Sequence, residues 1–319
     1  MMTKTKILLK SINPTDFIVI VFCQFLTLLN IIYYNKIETW YLNVLMNVAI
    51  TAYIIFISYL DNKKYNVVWK QLHYWYLVPL IFLFFKELYL MIDPIRGVIY
   101  DDVLIKIDRW IFGTDPTHVL MKIANPVLTE LLQIVYGTFF FLPVILGLSL
   151  ILNDKTEEFG YTAFIIVYGF LLSYIGYILF PAIGPRFTLH DFHTNNMQMP
   201  GLFITDYLRE IVNSGESIPF GTHNPAAIVQ RDAFPSGHTQ MTLLVMYLSV
   251  KFNSRTKYFL IPNGILLIFA TVYLRYHYVT DLIGGFIFML LTLWSGKYIY
   301  NWWLRNSEGV TRPKNLNHY

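Results

Sequence analysis

The stretch GYTAFIIVYGFLLSYIGYILFP, residues 160–181, runs from a glycine to a proline without one charged side chain. At 1.5 Å of helical rise per residue it reaches across the roughly 30 Å hydrocarbon layer of a bilayer. Outward from it lie further apolar runs at 15–34, 41–60, 72–92, 129–152, 237–252, 258–275 and 278–303. Polar clusters punctuate them, among them Asp61-Asn62-Lys63-Lys64, Asp93-Pro94 and Asn153-Asp154-Lys155. The 319 residues are 55% hydrophobic and only 14% charged, with mean hydropathy +0.48. A water-facing surface needs about a quarter charged residues, so a soluble domain is excluded. The abundance of Phe (25) and Tyr (24) excludes a disordered chain. The expected fold is all-α: a polytopic membrane bundle of about eight transmembrane helices.

Net charge is +4 and the sequence pI about 8.9, but the basic residues are dispersed through loops instead of forming a patch, so nucleic acid is not an expected partner. They serve better as a topology signal. Lys4, Lys6 and Lys10, Lys63, Lys64 and Lys70, Lys155, Lys251, Arg255 and Lys257, and Arg305, Arg312 and Lys314 crowd one set of short segments. That set is expected in the cytoplasm with both termini, leaving the loops 93–128 and 182–236 outside. The expected layout is N-terminal transmembrane helices over 1–71, a catalytic membrane domain over 72–303 and a cytoplasmic tail over 304–319. The basic start of the chain reads as an uncleaved first span, because no small-residue cleavage site follows it. Cys23 is the one cysteine, which excludes an intrachain disulfide and a cysteine metal site. Within 101–113 apolar residues recur at helical spacing against charges, predicting an amphipathic helix on the membrane surface. The 182–236 loop is too long to be structureless and is expected to fold.

Chemistry-bearing residues gather at three span ends on the outer face. These are Pro181-Ala-Ile-Gly-Pro185-Arg186, Phe234-Pro-Ser236-Gly237-His238 and Arg275-Tyr-His277-Tyr-Val-Thr-Asp281. His277 and Asp281, four apart, share a helical face, where a carboxylate can hold the Nδ1 proton and leave Nε2 as a nucleophile. Alone, the pair reads equally as a structural hydrogen bond. Ser236 suits a helix cap, Gly237 admits close approach to the backbone, and His238 adds a proton carrier beside a helix N-terminus able to hold an anion. Arg186 and Arg275 have the planar fork that phosphate favours, although a single such arginine is more readily an interfacial anchor.

The ordered set Gly-Pro-Arg, Phe-Pro-Ser-Gly-His and Tyr-His-Tyr-x-x-Asp-Leu-Ile-Gly-Gly resembles the type 2 phosphatidic acid phosphatase superfamily. Tyr273-Leu274-x-x-His277-Tyr278-x-x-Asp281-Leu282-Ile283-Gly284-Gly285, with the upstream Asp108-x-x-x-Phe112-Gly113-x-x-Pro116, is most similar to its inositol phosphorylceramide synthase (inositolphosphotransferase) branch. The resemblance implies a core six-helix bundle and a reaction through a phosphohistidine on His277, oriented by Asp281, with His238 moving protons. It also implies phosphate binding by Arg186, Ser236, Gly237 and Arg275, and no metal or other cofactor. The superfamily's Lys-x-x-x-x-x-x-Arg-Pro is here Pro185-Arg186 with Leu179 at the lysine position, and Ala270-Thr271 stands where it has Ser-Arg. These departures favour the phosphotransferase-like branch.

The expected partners are the bilayer and a phospholipid or lipid-phosphate substrate, and the expected location is the plasma (inner) membrane with an extracytoplasmic site. The expected activity is a phosphotransferase moving a phospholipid headgroup phosphate to a lipid alcohol. A lipid-phosphate phosphatase is the alternative, and a non-catalytic lipid binder or transporter the remote one. Lys86 and Glu87, charged within an apolar span, are candidate headgroup contacts, as is Tyr278 beside the proposed nucleophile. His190, His193 and His223 lie in one polar loop without a matching ligand set for a metal.

Overall fold

The computed structural model describes residues 11–63 and 66–307, and among them all regular structure is helical. In chain order the longer helices are α1 Pro14–Ile32, α2 Trp40–Lys63, α3 Val67–Trp75, α4 Leu77–Arg96, α5 Asp101–Phe112, α6 Pro126–Gly137, α7 Phe141–Leu152, α8 Thr156–Leu179, α9 Thr205–Gly215, α10 Gly237–Lys251, α11 Lys257–Tyr273 and α12 Val279–Asn306. Each of the eight apolar runs is helical, but their lengths differ from the expectation. Among the described residues five helical stretches are long and apolar enough to cross a membrane, with α3 and α4 together forming one of them. The 129–152 run is a bent pair, α6 and α7, meeting at 53°, which would make a sixth. α10 and α11 have 15 and 17 residues, about 22 and 26 Å of helix. The basic residues Lys4, Lys6, Lys10, Lys64, Arg312 and Lys314 lie outside the described residues, as does most of the 304–319 segment.

The chain forms two compact units. Unit 1 contains 1–97, 160–171 and 291–319. In it Asn13 and Asp16 close a capping box on α1, with Pro14 in the first turn. Asp16 is also bonded to His73 Nε2 at 3.0 Å and accepts from the Tyr76 hydroxyl at 2.8 Å, while His73 Nδ1 meets Asp61 at 2.8 Å. Glu87 Oε1 accepts from Asn30 at 2.9 Å and Asn47 at 2.8 Å, and Asn43 donates to Asn30. Glu87 is buried and Lys86 exposed, so the two candidate headgroup contacts face opposite environments.

Unit 2 contains 98–159 and 172–290, including the 182–236 loop and all but the first five residues of the 93–128 loop. The 182–236 loop is folded into α9 and short helical turns. Glu130 on α6 is one organiser: its carboxylate accepts the backbone N–H groups of Leu202, Phe203, Ile204 and Thr205 and the Thr205 hydroxyl. It thereby fixes the chain entering α9 and takes the N–H of that helix's first residue, Thr205, one of the donors a helix N-terminus leaves open. The face of α5 turned inward carries Asp101, Leu104, Ile105 and Asp108, whereas Val103, Trp110 and Phe112 are exposed. The helix is present where periodicity placed it, and Asp101 and Asp108 turn inward while Asp102 is exposed, because those two carboxylates have partners inside the fold that the local sequence does not reveal.

Candidate active site

The helix start at α10 and the turn between α11 and α12 bring the expected residues together. His277 Nδ1 lies 3.0 Å from the Ala233 carbonyl and 3.3 Å from Asp281 Oδ2. A carbonyl only accepts, so Nδ1 carries the proton and Nε2 presents its lone pair. Nε2 in turn lies 3.3 Å from His238 Nδ1, so the two imidazoles meet edge to edge. His238 is packed by Tyr136, stacked at 4.7 Å, and by Phe139 at 4.2 Å. His277 is buried, and burial pushes its pKa down to about 4, against the opposing pull of the Asp232 and Glu216 charges. It therefore stays neutral across the physiological range.

Asp281 is fully buried, and its Oδ2 accepts the Tyr278 N–H at 2.8 Å. This carboxylate fixes the turn that carries His277 as well as touching its ring, while the shorter contact to Nδ1 comes from the Ala233 carbonyl. Ser236 caps α10, its hydroxyl accepting the Thr239 N–H at 3.2 Å, and its own N–H donates to the Asp281 carbonyl at 3.0 Å. The Gly284-Gly285 pair explains how closely these elements approach. A Cβ at Gly285 would lie 2.6 Å from the Ser236 carbonyl oxygen, and one at Gly284 2.6 Å from the Phe234 ring. At Gly237 it would run into the Tyr177 hydroxyl.

Helix α5 holds the assembly from outside the motifs. Asp101 Oδ1 accepts from Gly184 N at 2.8 Å and from the Tyr278 hydroxyl at 2.9 Å, and its Oδ2 from Ile183 N at 3.0 Å. Asp108 accepts from Val279 N at 3.0 Å and from Thr280 N at 2.8 Å, covering the first turn of α12. Burial raises the Asp101 pKa, and the donors around it oppose that rise. The sequence signal for Asp108 was its place in the resemblance, whereas Asp101 had none beyond its spacing of two helical turns.

The arginines divide. Arg186 is buried, donates to Asn213 at 2.8 Å and pairs with Glu216. Its guanidinium lies 4.8 Å from the Tyr276 ring centroid, and Tyr276 stacks on Tyr136 at 4.4 Å, the ring that packs His238. Arg275, with φ 69°, directs its guanidinium to Asn195, Gln198 and the Met121 sulfur. Burial lowers its pKa to about 10. Tyr278 is engaged with Asp101 and Thr188. Two acids escaped the sequence analysis. Asp232 is raised to about 7 by burial and the Glu216 charge, and both acids act electrostatically on His277. Asp232 directly precedes the Ala233 carbonyl, which is the signal that could have found it. Of the loop histidines, His190 bonds Thr117, and burial takes its pKa down to about 3, while His193 bonds the His223 carbonyl.

Apolar helices, with a buried histidine pair and a buried arginine in unit 2, fit a membrane protein of phosphate chemistry. The chain belongs to the PAP2 superfamily, whose model matches residues 102–295. It is also similar to the inositol phosphorylceramide synthase of Candida albicans, at 29% identity over 222 residues, 65% of this chain and 44% of that protein. The chain thus spans less than half the length of that relative. No solved structure matches it. Family and likeness together support lipid phosphoryl transfer or phosphatase activity in an integral membrane protein.

Proposed function

We propose that this chain is a lipid phosphotransferase that moves a headgroup phosphate from a phospholipid onto a lipid alcohol through a phosphohistidine. The observation that carries this is the His277 ring, with Nδ1 engaged by Ala233 and Asp281 and Nε2 facing a second imidazole at 3.3 Å. Nε2 attacks the phosphorus of the donor phosphodiester. His238, as the imidazolium, gives its proton to the departing diacylglycerol oxygen. In the second half His238 takes the proton of the acceptor hydroxyl while that oxygen attacks phosphorus and the P–N bond breaks. Charge on the phosphoryl oxygens is met by Arg186 and by the α10 N-terminus at Ser236 and Gly237, without recourse to a metal. Arg275 is better suited, from its contacts, to holding the Asn195–Gln198 turn than to touching phosphate. Likeness to an inositol phosphorylceramide synthase supports a donor that carries inositol phosphate and an acceptor that is a ceramide-type alcohol.

The same proposal places eight helical spans around a core of six, the 72–303 segment as the catalytic domain, both termini in the cytoplasm and the site on the outer face of the plasma membrane. The lysine- and arginine-rich segments support that orientation. Trapping an acid-labile phosphorylated peptide containing His277 from protein mixed with labelled phospholipid tests the chemistry. Recovery of the label in a second lipid supports the transferase, free phosphate indicates the hydrolase, and an unlabelled protein that nevertheless binds the lipid leaves only a binder or transporter.

A further inference from the structure

Helix α9 in the 182–236 loop is turned inside out for a helix in water. Its buried residues are Thr205, Arg209 and Asn213, a polar stripe repeating every four positions. Each has partners within the fold. Thr205 donates to Glu130, Arg209 donates to Asn196 at 3.0 Å and to the Met199 carbonyl at 2.7 Å, and Asn213 accepts from Arg186 at 2.8 Å. Half-buried Val212 joins them from the core side. At about 100° per residue, the opposite side of the helix carries Ile204, Tyr207 and Ile211. All three are exposed, Tyr207 by 69% and Ile211 by 51%, and Phe203 at the helix entry is 90% exposed. The acids Asp206 and Glu210 fall on the flank between the two stripes.

An apolar edge of this kind marks a surface that meets a membrane or another protein. Its neighbour α6 favours the membrane. α6 belongs to the bent pair that is apolar enough to cross a bilayer, and its exposed residues Val127, Leu131 and Ile134 form a stripe at helical spacing. Glu130 stands on the flank of that stripe, and its carboxylate holds the backbone N–H groups of 202–205. α9 itself packs against α6. The 202–211 edge therefore continues the lipid-facing side of a span instead of standing alone on a water-facing loop. With 11 residues, α9 is about 16 Å long, too short to cross a hydrocarbon layer of about 30 Å. A short helix with one apolar face lies in the plane of the interface.

We propose that the 202–211 edge is a lipid-binding surface that seats α9 in the adjoining leaflet, with Phe203, Tyr207 and Ile211 among the acyl chains. Asn213 near the end of α9 and Glu216 just beyond it hold Arg186, so the leaflet sets the height of that guanidinium. The seating is independent of which reaction the histidines carry out, and it is measured without turnover. The full chain, one copy per nanodisc, would carry a spin label at Phe203→Cys or Ile211→Cys, with His223→Cys, an exposed position of the same loop, as reference. The native Cys23 is buried and escapes labelling. Collisions with oxygen and with a water-soluble nickel chelate should place the labels at 203 and 211 about 5–10 Å into the headgroup–acyl boundary, and the label at 223 in water. In the unsubstituted chain, a phospholipid with a photoactivatable group in its acyl chain should attach to the peptide containing 202–211. Labels at 203 and 211 as open to the chelate as the one at 223, or no attachment to that peptide, would overturn the proposal. So would shielding that arises only with two chains per disc, which would give the face to a second copy.

Discussion

The chain buries two histidine–aspartate clusters, one in each unit, and they are built to opposite ends. In unit 1 His73 has a carboxylate on each ring nitrogen, Asp16 at 3.0 Å and Asp61 at 2.8 Å, so the ring can donate in both directions and has no lone pair to offer. In unit 2 His277 has oxygen acceptors on Nδ1 alone, and its Nε2 faces another imidazole. The residue types match, but the first arrangement is a cross-link and the second leaves one ring nitrogen free of acceptors, as the proposed nucleophile requires. What separates them is which ring nitrogen the surroundings leave to accept, a property set by tertiary contacts and not by residue identity.

The contrast is broken most severely by truncating each ring. His277→Ala should abolish the trapped phosphopeptide and lower turnover by about 10⁴-fold, while leaving the folded fraction in detergent unchanged. His73→Ala should do the reverse. Two carboxylates then face each other without their shared partner, at a cost of about 3–5 kcal/mol, read as a lower unfolding midpoint with turnover per folded molecule preserved. Equal effects of the two substitutions on turnover would erase the distinction.

A smaller change sharpens it. Asp281→Asn keeps an oxygen where Oδ2 meets both the Tyr278 N–H and His277 Nδ1 but removes the negative charge that supports the developing imidazolium, so kcat should fall by about 10²- to 10⁴-fold with the fold intact. Undiminished kcat would mean that the Ala233 carbonyl alone sets the tautomer. The smallest expected effect is in pH. Burial holds the His277 pKa down at about 4, below the ordinary value of about 6.5. The nucleophilic neutral form is thus fully present above that range and is lost only as pH falls through about 4. Linkage runs the same way: between about 6.5 and 4 the unfolded chain takes up a proton that the folded site refuses, so His277 lowers stability as pH falls there. A profile of kcat/KM whose acid limb is unchanged in Asp232→Asn would show that this acid does not tune the pair.

Much of this was legible in the sequence. The eight apolar runs are all helical, and His238, His277 and Asp281 converge although 39 residues separate the two histidines. Spacing and helix ends carry that information because they are local. Three things were not legible, each because its cause is a distant partner. Asp101 and Asp108 of α5 turn inward to meet Gly184 and the start of α12. Arg275 turns to Asn195 and Gln198, which lie about 80 positions earlier. The 129–152 run bends, which its apolar composition conceals.

The seven-residue interval between Asp101 and Asp108 works as a gauge. Two turns of helix set their carboxylates roughly 10 Å apart along one side, and at that distance one grips the Gly184 strap and the other the opening turn of α12. Deleting a single residue from the interval would swing one acid by about 100° relative to the other, so that only one of the two segments could be held at a time. Drift in this helix is therefore free in side-chain chemistry facing outward but nearly forbidden in length, and insertions or deletions there should be far rarer than substitutions.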